Sequence, residues 1–349
     1  MQAVPWTDNG LLQEPADPFQ SGGRDTLWTF ATSGTTGTPK LVAHRLASLT
    51  RTIKVAGFGP NGWRWGMLFD MARFAGIQVF LQGVLGGGGV VLPNPTAPLG
   101  EQVGTLVRQN CSAVSATPTM WRKLLMTTES NLLQLRQVTL GGEIADNSVL
   151  SALAARFRNA RIVHIYASTE AGAAFSVVDG QAGFPASYLD DPPRGIRLRL
   201  FDRRLAVHNE AVLPEYVGEG SRFAEEDGFI DTGDVVERMG DRIYFRGREN
   251  GAINVGGNKV FPEEVEQLLL AHPLVASARV YAKASPITGQ LVAAEIVQVG
   301  GPIDDSQPLV ADLRAWCRET LPPWQVPVFI KVVEHLAINP GGKIVRGSS

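Results

Sequence analysis

Residues 103–125 read VGTLVRQNCSAVSATPTMWRKLL, and the spacing of their apolar residues decides the fold class. Val103, Leu106 and Val107 recur at the interval of one helix face, Ser112 to Ala116 form a run of strand length, and Met120, Trp121, Leu124 and Leu125 resume the helical interval. Helix, strand and helix in such quick succession are the repeating unit of a layered α/β domain. Further candidate strands at Leu27 to Phe30, Val138 to Leu140 and Arg161 to Ile165 extend the alternation over roughly residues 25–178.

After Asp191 the pattern changes to short β-like pieces with frequent turns, such as Gly195 to Phe201 and Ile243 to Phe245. Another layout begins near Asn250. Pro262 stands at a first helical position with Glu263 and Glu264 in the first turn, and Val265, Leu268 and Leu269 share one face. Strands Val275 to Ala282 and Leu291 to Val299 follow, then a helix bearing Leu309, Leu313, Trp316 and Cys317, then a strand from Val328 to Val333. The expected fold is a large layered α/β N-terminal domain over residues 1–249 and a small mobile α+β C-terminal domain over residues 250–349.

Composition agrees with two units. The chain has 349 residues, 44% of them hydrophobic, which is too long for one core and too apolar for disorder. With 32 basic and 34 acidic residues no basic surface dominates, so the balance calls for neither nucleic acid nor an anionic membrane. Cys111 and Cys317 are the only cysteines, which excludes a disulfide scaffold or a cysteine-rich metal site; Cys317 reads as a buried helix-face residue. The N-terminal MQAVPWTDNG lacks the basic start and apolar core of a signal peptide, and Gly83 and Gly86 to Gly89 break the apolar stretch Leu81 to Leu92. The expectation is a cytoplasmic chain without a membrane span.

The first chemical signal is Thr32-Ser33-Gly34-Thr35-Thr36-Gly37-Thr38-Pro39-Lys40, directly after the strand Leu27 to Phe30. Gly34 and Gly37 let backbone approach an anion, the hydroxyls donate, and Lys40 adds a compact positive charge. Such a loop suits phosphate. It is not a Walker loop, because the Gly-Lys-Ser/Thr ending and the helix that such a loop opens are both missing.

Four further segments accompany it in order: Tyr166-Ala167-Ser168-Thr169-Glu170; Asp231-Thr232-Gly233-Asp234; Gly247-Arg248 with Asn254, Gly256, Gly257 and Pro262 to Glu266; and Asn339-Pro340-Gly341-Gly342-Lys343. Together the five resemble the motifs of the AMP-forming acyl, aryl and aminoacyl adenylating enzymes. That resemblance implies roles residue by residue. Thr32, Ser33, Gly34, Thr35, Thr36, Gly37 and Lys40 would cradle the β and γ phosphates of ATP, Thr169 would contact the α-phosphate, and Glu170 would help hold Mg2+. Asp234 would accept both ribose hydroxyls, Tyr166 would offer its face to adenine with Gly142 and Glu143 on the other wall, and Arg248 would grip ribose and phosphate. Lys343 would be the catalytic lysine of a lobe that closes for adenylation and then rotates. Gly256 and Gly257 fall where the family's pantetheine arm passes close to backbone, although a plain turn between strand and helix also explains them.

Three departures stand out. The phosphate loop starts at Thr32, where members of the family carry a long preceding segment. Part of the usual large domain is therefore expected to be absent, its pocket walled by what remains or by a second subunit of a homo-oligomer. Glu249-Asn250 occupies the pivot, where the family has an acid or lysine, and Asn tolerates strained backbone angles. Finally, Arg73, within Leu68 to Gly76, falls where the resembling acyl-pocket motif often has a histidine; it reads either as a partner for a second carboxylate or polar group on the substrate or as a solvated or structural arginine. His164 has two readings as well, a residue beside the adenine amino group or a packed strand histidine.

The expected activity is an ATP-dependent acid:CoA ligase that makes an acyl-AMP and then a CoA thioester from a small carboxylic acid. One alternative loads an acyl, aryl or amino acid onto a carrier-protein phosphopantetheine. Another is a silent nucleotide-binding relic.

Overall fold

The computed structural model describes residues 26–32, 40–55, 62–213, 215–218, 222–301, 305–338 and 343–344. Strands β1 (Leu27–Ala31) and β2 (Leu41–Arg45) form an antiparallel hairpin that leads into the short helix α1 (Leu46–Thr50). The alternating region follows as β3 (Arg64–Met67), α2 (Phe74–Leu85), β4 (Gly89–Val91), α3 (Leu99–Arg108), β5 (Ala113–Ala116), α4 (Pro118–Leu125), β6 (Gln137–Gly141), α5 (Asn147–Arg156), β7 (Arg161–Ser168) and β8 (Gly172–Val177). Its sheet has the order β4-β3-β5-β6-β7-β8, parallel throughout except for the antiparallel edge strand β8.

Both faces of this sheet are covered. Helices α3, α4 and α5 bury Val103, Leu106, Trp121, Leu124, Leu150 and Leu153 against Val114, Val138 and Leu140. On the opposite face Ile77 and Leu81 of α2 pack with Phe30, Leu49 and Phe74, while Val79 joins Trp65, Met67 and Phe69. Because β3 lies between β4 and β5, the strand order reverses there. In open α/β sheets such a switch leaves a crevice at the carboxyl ends of the strands.

A second sheet continues the chain: β9 (Phe184–Pro185), β10 (Ile196–Phe201), β11 (Arg204–Asn209), β12 (Ile230–Met239) and β13 (Arg242–Arg248), ordered β10-β11-β12-β13-β9. Its apolar side shares a core with β7 and β8 through Tyr166, Phe175, Phe184 and Phe245. The last part contains β14 (Ile253–Val255), β15 (Asn258–Val260), α6 (Pro262–Leu270), β16 (Val275–Ser285), β17 (Gly289–Gln298), α7 (Gln307–Thr320) and β18 (Phe329–Val332). These elements bury a core of their own, including Val265, Leu269, Ile296, Leu313 and Cys317. The mixed α/β layout is thus as the sequence implied, with Pro262 opening α6 and Cys317 buried, its thiol pushed up to about 11 by burial. No helix among the described residues is long and apolar enough to cross a membrane.

Trp121 shows how tightly the large unit is packed. It is fully buried, its indole Nε1 donates to the Thr139 carbonyl at 2.8 Å, and its ring meets Phe157 edge-on. Trp121→Ala should cost about 3–5 kcal/mol of stability by lost burial and cavity formation. Trp121→Phe should cost less, about 1–3 kcal/mol, through the lost indole donation and the smaller ring. Urea unfolding of the two variants checks the order.

Candidate active site

Of the motif segments, the one with Thr169 and Glu170 follows the carboxyl end of β7, and Lys343 of the last reaches Gly142 at the carboxyl end of β6. The first, Thr32 to Lys40, joins β1 to β2. Ser33, Gly34, Thr35, Thr36 and Gly37 lie outside the described residues, but the feet of the loop are fixed. Thr32 N–H donates to the Lys40 carbonyl at 2.8 Å, and Lys40 N–H donates to Thr32 Oγ1 at 3.2 Å. Lys40 Nζ stands 4.4 Å from the centroid of the Tyr216 ring, a cation–π distance. The segment therefore joins two paired strands, with β2 starting at Leu41 directly after Lys40.

Gly142 follows β6 with φ of +82°, a left-handed conformation that glycine adopts without steric cost. Lys343 packs directly on it: a Cβ on Gly142 would stand 3.2 Å from Lys343 Cε and 3.6 Å from Nζ. Residues 339–342 are outside the described set, yet Ile338 and Ile344 pair across an antiparallel bridge and hold the two ends of that loop together. The φ is the firm requirement for glycine, and a Cβ would in addition crowd the end of the lysine side chain.

Glu143 has a structural task, since Oε2 accepts the Thr119 N–H at the start of α4 at 3.0 Å. Thr117, the N-cap, accepts from Met120 N–H through its hydroxyl and from Trp121 N–H through its carbonyl. Pro118 has no N–H, so the amino end of α4 is satisfied within the protein.

The second sheet delivers the acid and the arginine. Asp234 and Arg248 are direct cross-strand partners on β12 and β13, beside a register shift at Val235/Val236. Tyr166 on β7 donates its hydroxyl to Asp234 Oδ2 at 2.5 Å, and Arg248 Nε donates to Oδ1 at 3.1 Å. The Tyr166 ring stacks with Phe175 and Phe245, both at 5.1 Å between centroids, so its plane is preset. Burial first, and then the charge of Asp234, hold the Tyr166 hydroxyl well above its ordinary pKa. Burial disfavours the charged Arg248 guanidinium, but Asp234, Tyr166 and Glu170 outweigh it and raise the pKa.

Thr169 and Glu170 occupy the turn between β7 and β8, where Ser168 Oγ accepts the Ala171 N–H at 2.9 Å. Glu170 acts electrostatically on Arg248. Among the described residues no group of three or more His, Cys, Asp or Glu side chains could hold a metal. A single carboxylate still fits Mg2+, which commonly takes one or two from protein and the rest of its oxygens from phosphate and water.

A residue that the sequence did not single out sits behind this turn. His44 on β2 is fully buried, with Nδ1 2.9 Å from Ser48 Oγ and Nε2 2.7 Å from the Thr169 carbonyl. Burial, against the opposing pull of that carbonyl, lowers its pKa below 6.5. A lone histidine in an apolar strand carries no motif that would have marked it.

The remaining candidates each have partners within the protein. His164 Nε2 lies 3.0 Å from the Gln181 carbonyl and burial lowers its pKa, as for a packed strand histidine. Arg73 precedes α2, half exposed, with Nε 4.0 Å from Asp70 Oδ2 in its own turn. Gly256 and Gly257 have φ of +57° and +89° and form the two-residue connection of the β14–β15 hairpin, with Gly257 N–H donating to Asn254 Oδ1 at 3.0 Å. Two successive positive φ values are what such a turn requires, and it joins two strands instead of a strand and a helix.

A family model described as AMP-binding enzyme matches residues 3–211, and one described as AMP-binding enzyme C-terminal domain matches residues 264–343. The chain is 28% identical over 372 residues to 4-hydroxybutyrate–CoA ligase 1 of Metallosphaera sedula, which covers 97% of this chain but 65% of that protein. It is also 28% identical to part of surfactin synthase subunit 1 of Bacillus subtilis, over 93% of this chain and 10% of that one. A variant of E. coli MenE solved with bound OSB-AMS superposes with a TM-score of 0.72 at 21% identity, covering 91% of this chain and 66% of that one. The chain thus spans about two thirds of the length of the ligases it matches.

The tyrosine environment is testable by titration. The folded protein holds the Tyr166 proton more tightly than an unfolded chain, so stability falls as pH rises past the ordinary tyrosine value of about 10. In ultraviolet titration, subtracting the Tyr166→Phe curve from that of the unsubstituted protein should leave no phenolate signal at the ordinary tyrosine midpoint of about pH 10. A difference signal centred near pH 10 would contradict the buried Tyr166–Asp234 contact.

Proposed function

Because the chain belongs to the AMP-binding enzyme family, we propose that it is an ATP-dependent acid:thiol ligase with CoA as the acceptor. In the first step a carboxylate oxygen attacks the α-phosphorus of ATP and pyrophosphate leaves. In the second the CoA thiol attacks the acyl carbon, the acyl–phosphate oxygen bond breaks, and AMP departs. The observation that carries this reading is Lys343 packed on Gly142, next to Gly141, which pairs with Ile165 beside Tyr166, the partner of Asp234.

The first step brings two anions together, so its barrier falls where fixed positive charge meets the developing charge. Lys343 supplies an ammonium there and Arg248 a guanidinium. Asp234 already accepts from Tyr166 and Arg248, but a carboxylate has about four lone-pair sites, which leaves capacity for the two ribose hydroxyls. Thr169 would meet the α-phosphate, and the loop from Thr32 to Lys40 the outer phosphates. Mg2+, when bound, would be held by Glu170 and would neutralise triphosphate charge.

The lobes divide between residues 249 and 250 in this reading, and residues 250–349 move. The Arg246–Glu264 contact at 3.4 Å and the Lys259–Glu249 pair span that division. With Lys343 on Gly142, the arrangement suits adenylation. Withdrawal of the lysine would free the site for the thiol, with the Gly256–Gly257 turn as the candidate lining of its path.

A panel of fatty, aromatic, dicarboxylic and amino acids, followed by pyrophosphate release and hydroxamate trapping, tests the reading. Acid-dependent pyrophosphate and a CoA thioester are expected. Transfer only to a carrier protein would replace CoA as the acceptor, and nucleotide binding without acid-dependent pyrophosphate across the panel would leave the relic. Lys343→Ala should slow adenylation by about 100-fold or more, in the range for losing a charge-stabilising group. Thioester formation from supplied acyl-adenylate should stay within about threefold, since each factor of ten is about 1.4 kcal/mol of barrier. Equal loss in both steps would contradict the alternation.

A further inference from the structure

The buried His44 is not accounted for by any motif, yet it joins two of the segments assigned to phosphate. It lies on β2, on the strand that leaves the Thr32–Lys40 loop, and its ring reaches across to the backbone of Thr169 on the turn after β7. A carbonyl only accepts, so the 2.7 Å contact fixes the proton on Nε2. In the neutral ring Nδ1 is then an acceptor, and the Ser48 hydroxyl, 2.9 Å away, donates to it. Phe74, at 4.9 Å between ring centroids, and Phe30, at 5.9 Å, pack against the imidazole and leave it little freedom to turn.

Two other contacts hold the same turn, from Ala171 N–H to Ser168 Oγ and from Asn209 Nδ2 to the Ala171 carbonyl at 2.8 Å. Neither reaches the phosphate hairpin. His44 does, so a rigid chain of Ser48, His44 and the Thr169 carbonyl links β2 to the residue just before Glu170.

We propose that His44 is a positioning residue whose Nε2–H donor keeps the Thr169–Glu170 turn in register with the Thr32–Lys40 hairpin, so that binding of the ATP triphosphate depends on it. The inference rests on the adenylation reading, which assigns phosphate to both segments. It sets His44 apart from a core histidine: losing the donor should weaken binding of the triphosphate far more than binding of the adenosine end, which Tyr166, Asp234 and Arg248 would hold.

The test uses the full chain and equilibrium titration with MgATP and with AMP. His44→Leu should weaken MgATP binding by about tenfold or more, the scale of one lost hydrogen bond inside a protein, and AMP binding by less than about threefold. His44→Gln, whose side-chain amide can offer N–H at the distance of Nε2, should recover most of the loss. Ser48→Ala removes only the outer contact and should give a smaller selective loss, which keeps the proposal testable if His44→Leu does not fold. Equal weakening of MgATP and AMP, or no recovery in His44→Gln at matched melting temperature, would reduce His44 to packing and overturn the proposal. MgATP binding that survives His44→Leu would overturn it alone, whereas an unsubstituted chain that binds no MgATP would overturn the adenylation reading with it.

Discussion

The arrangement depends on a lysine from the last described segment lying against a glycine at the end of a parallel strand. Lys343 occupies space that any Cβ on Gly142 would crowd, and Gly142 is free to leave it because its left-handed backbone needs no side chain. Placed there, an ammonium from the small unit meets the surface where β5, β6 and β7 end. Such ends are where open α/β sheets leave room for ligands.

Around that contact the polar groups are set before any ligand arrives. Asp234 is held from two sides, by the Tyr166 hydroxyl and by Arg248, and the Tyr166 ring is fixed by its stack with Phe175 and Phe245. Groups fixed in advance need little reorganisation when charge develops, which is the main source of electrostatic catalysis. The described residues flanking two of the motif segments are joined as well, Thr32 to Lys40 and Ile338 to Ile344.

The layered unit was legible because its signals are local. The 3.6-residue spacing of Val103, Leu106 and Val107, the strand-length run at Ala113–Ala116 and the proline at the start of α6 each report on their own neighbourhood. The motif residues were legible for the same reason. What could not be read depends on distant contacts. The cross-strand pairing of Asp234 with Arg248, the aromatic stack on Tyr166 and the reach of His44 to Thr169 join residues far apart in the chain. Glu143 was read for its place in a motif, whereas its carboxylate caps α4, a helix that begins well before it in the sequence. At Gly256–Gly257 a local turn requires the same glycines that the resemblance links to the thiol acceptor.

The central claim is that Lys343 stands at the phosphates of a bound nucleotide, and its amine reactivity tests this most directly. Peptide mass spectrometry after brief labelling with an amine reagent, with and without MgATP, would report every lysine at once. The account expects MgATP to slow labelling of Lys343 by about tenfold, the effect of occupying its site, while Lys123 and Lys283 react at unchanged rates. Labelling of Lys343 that ignores the nucleotide would contradict the account.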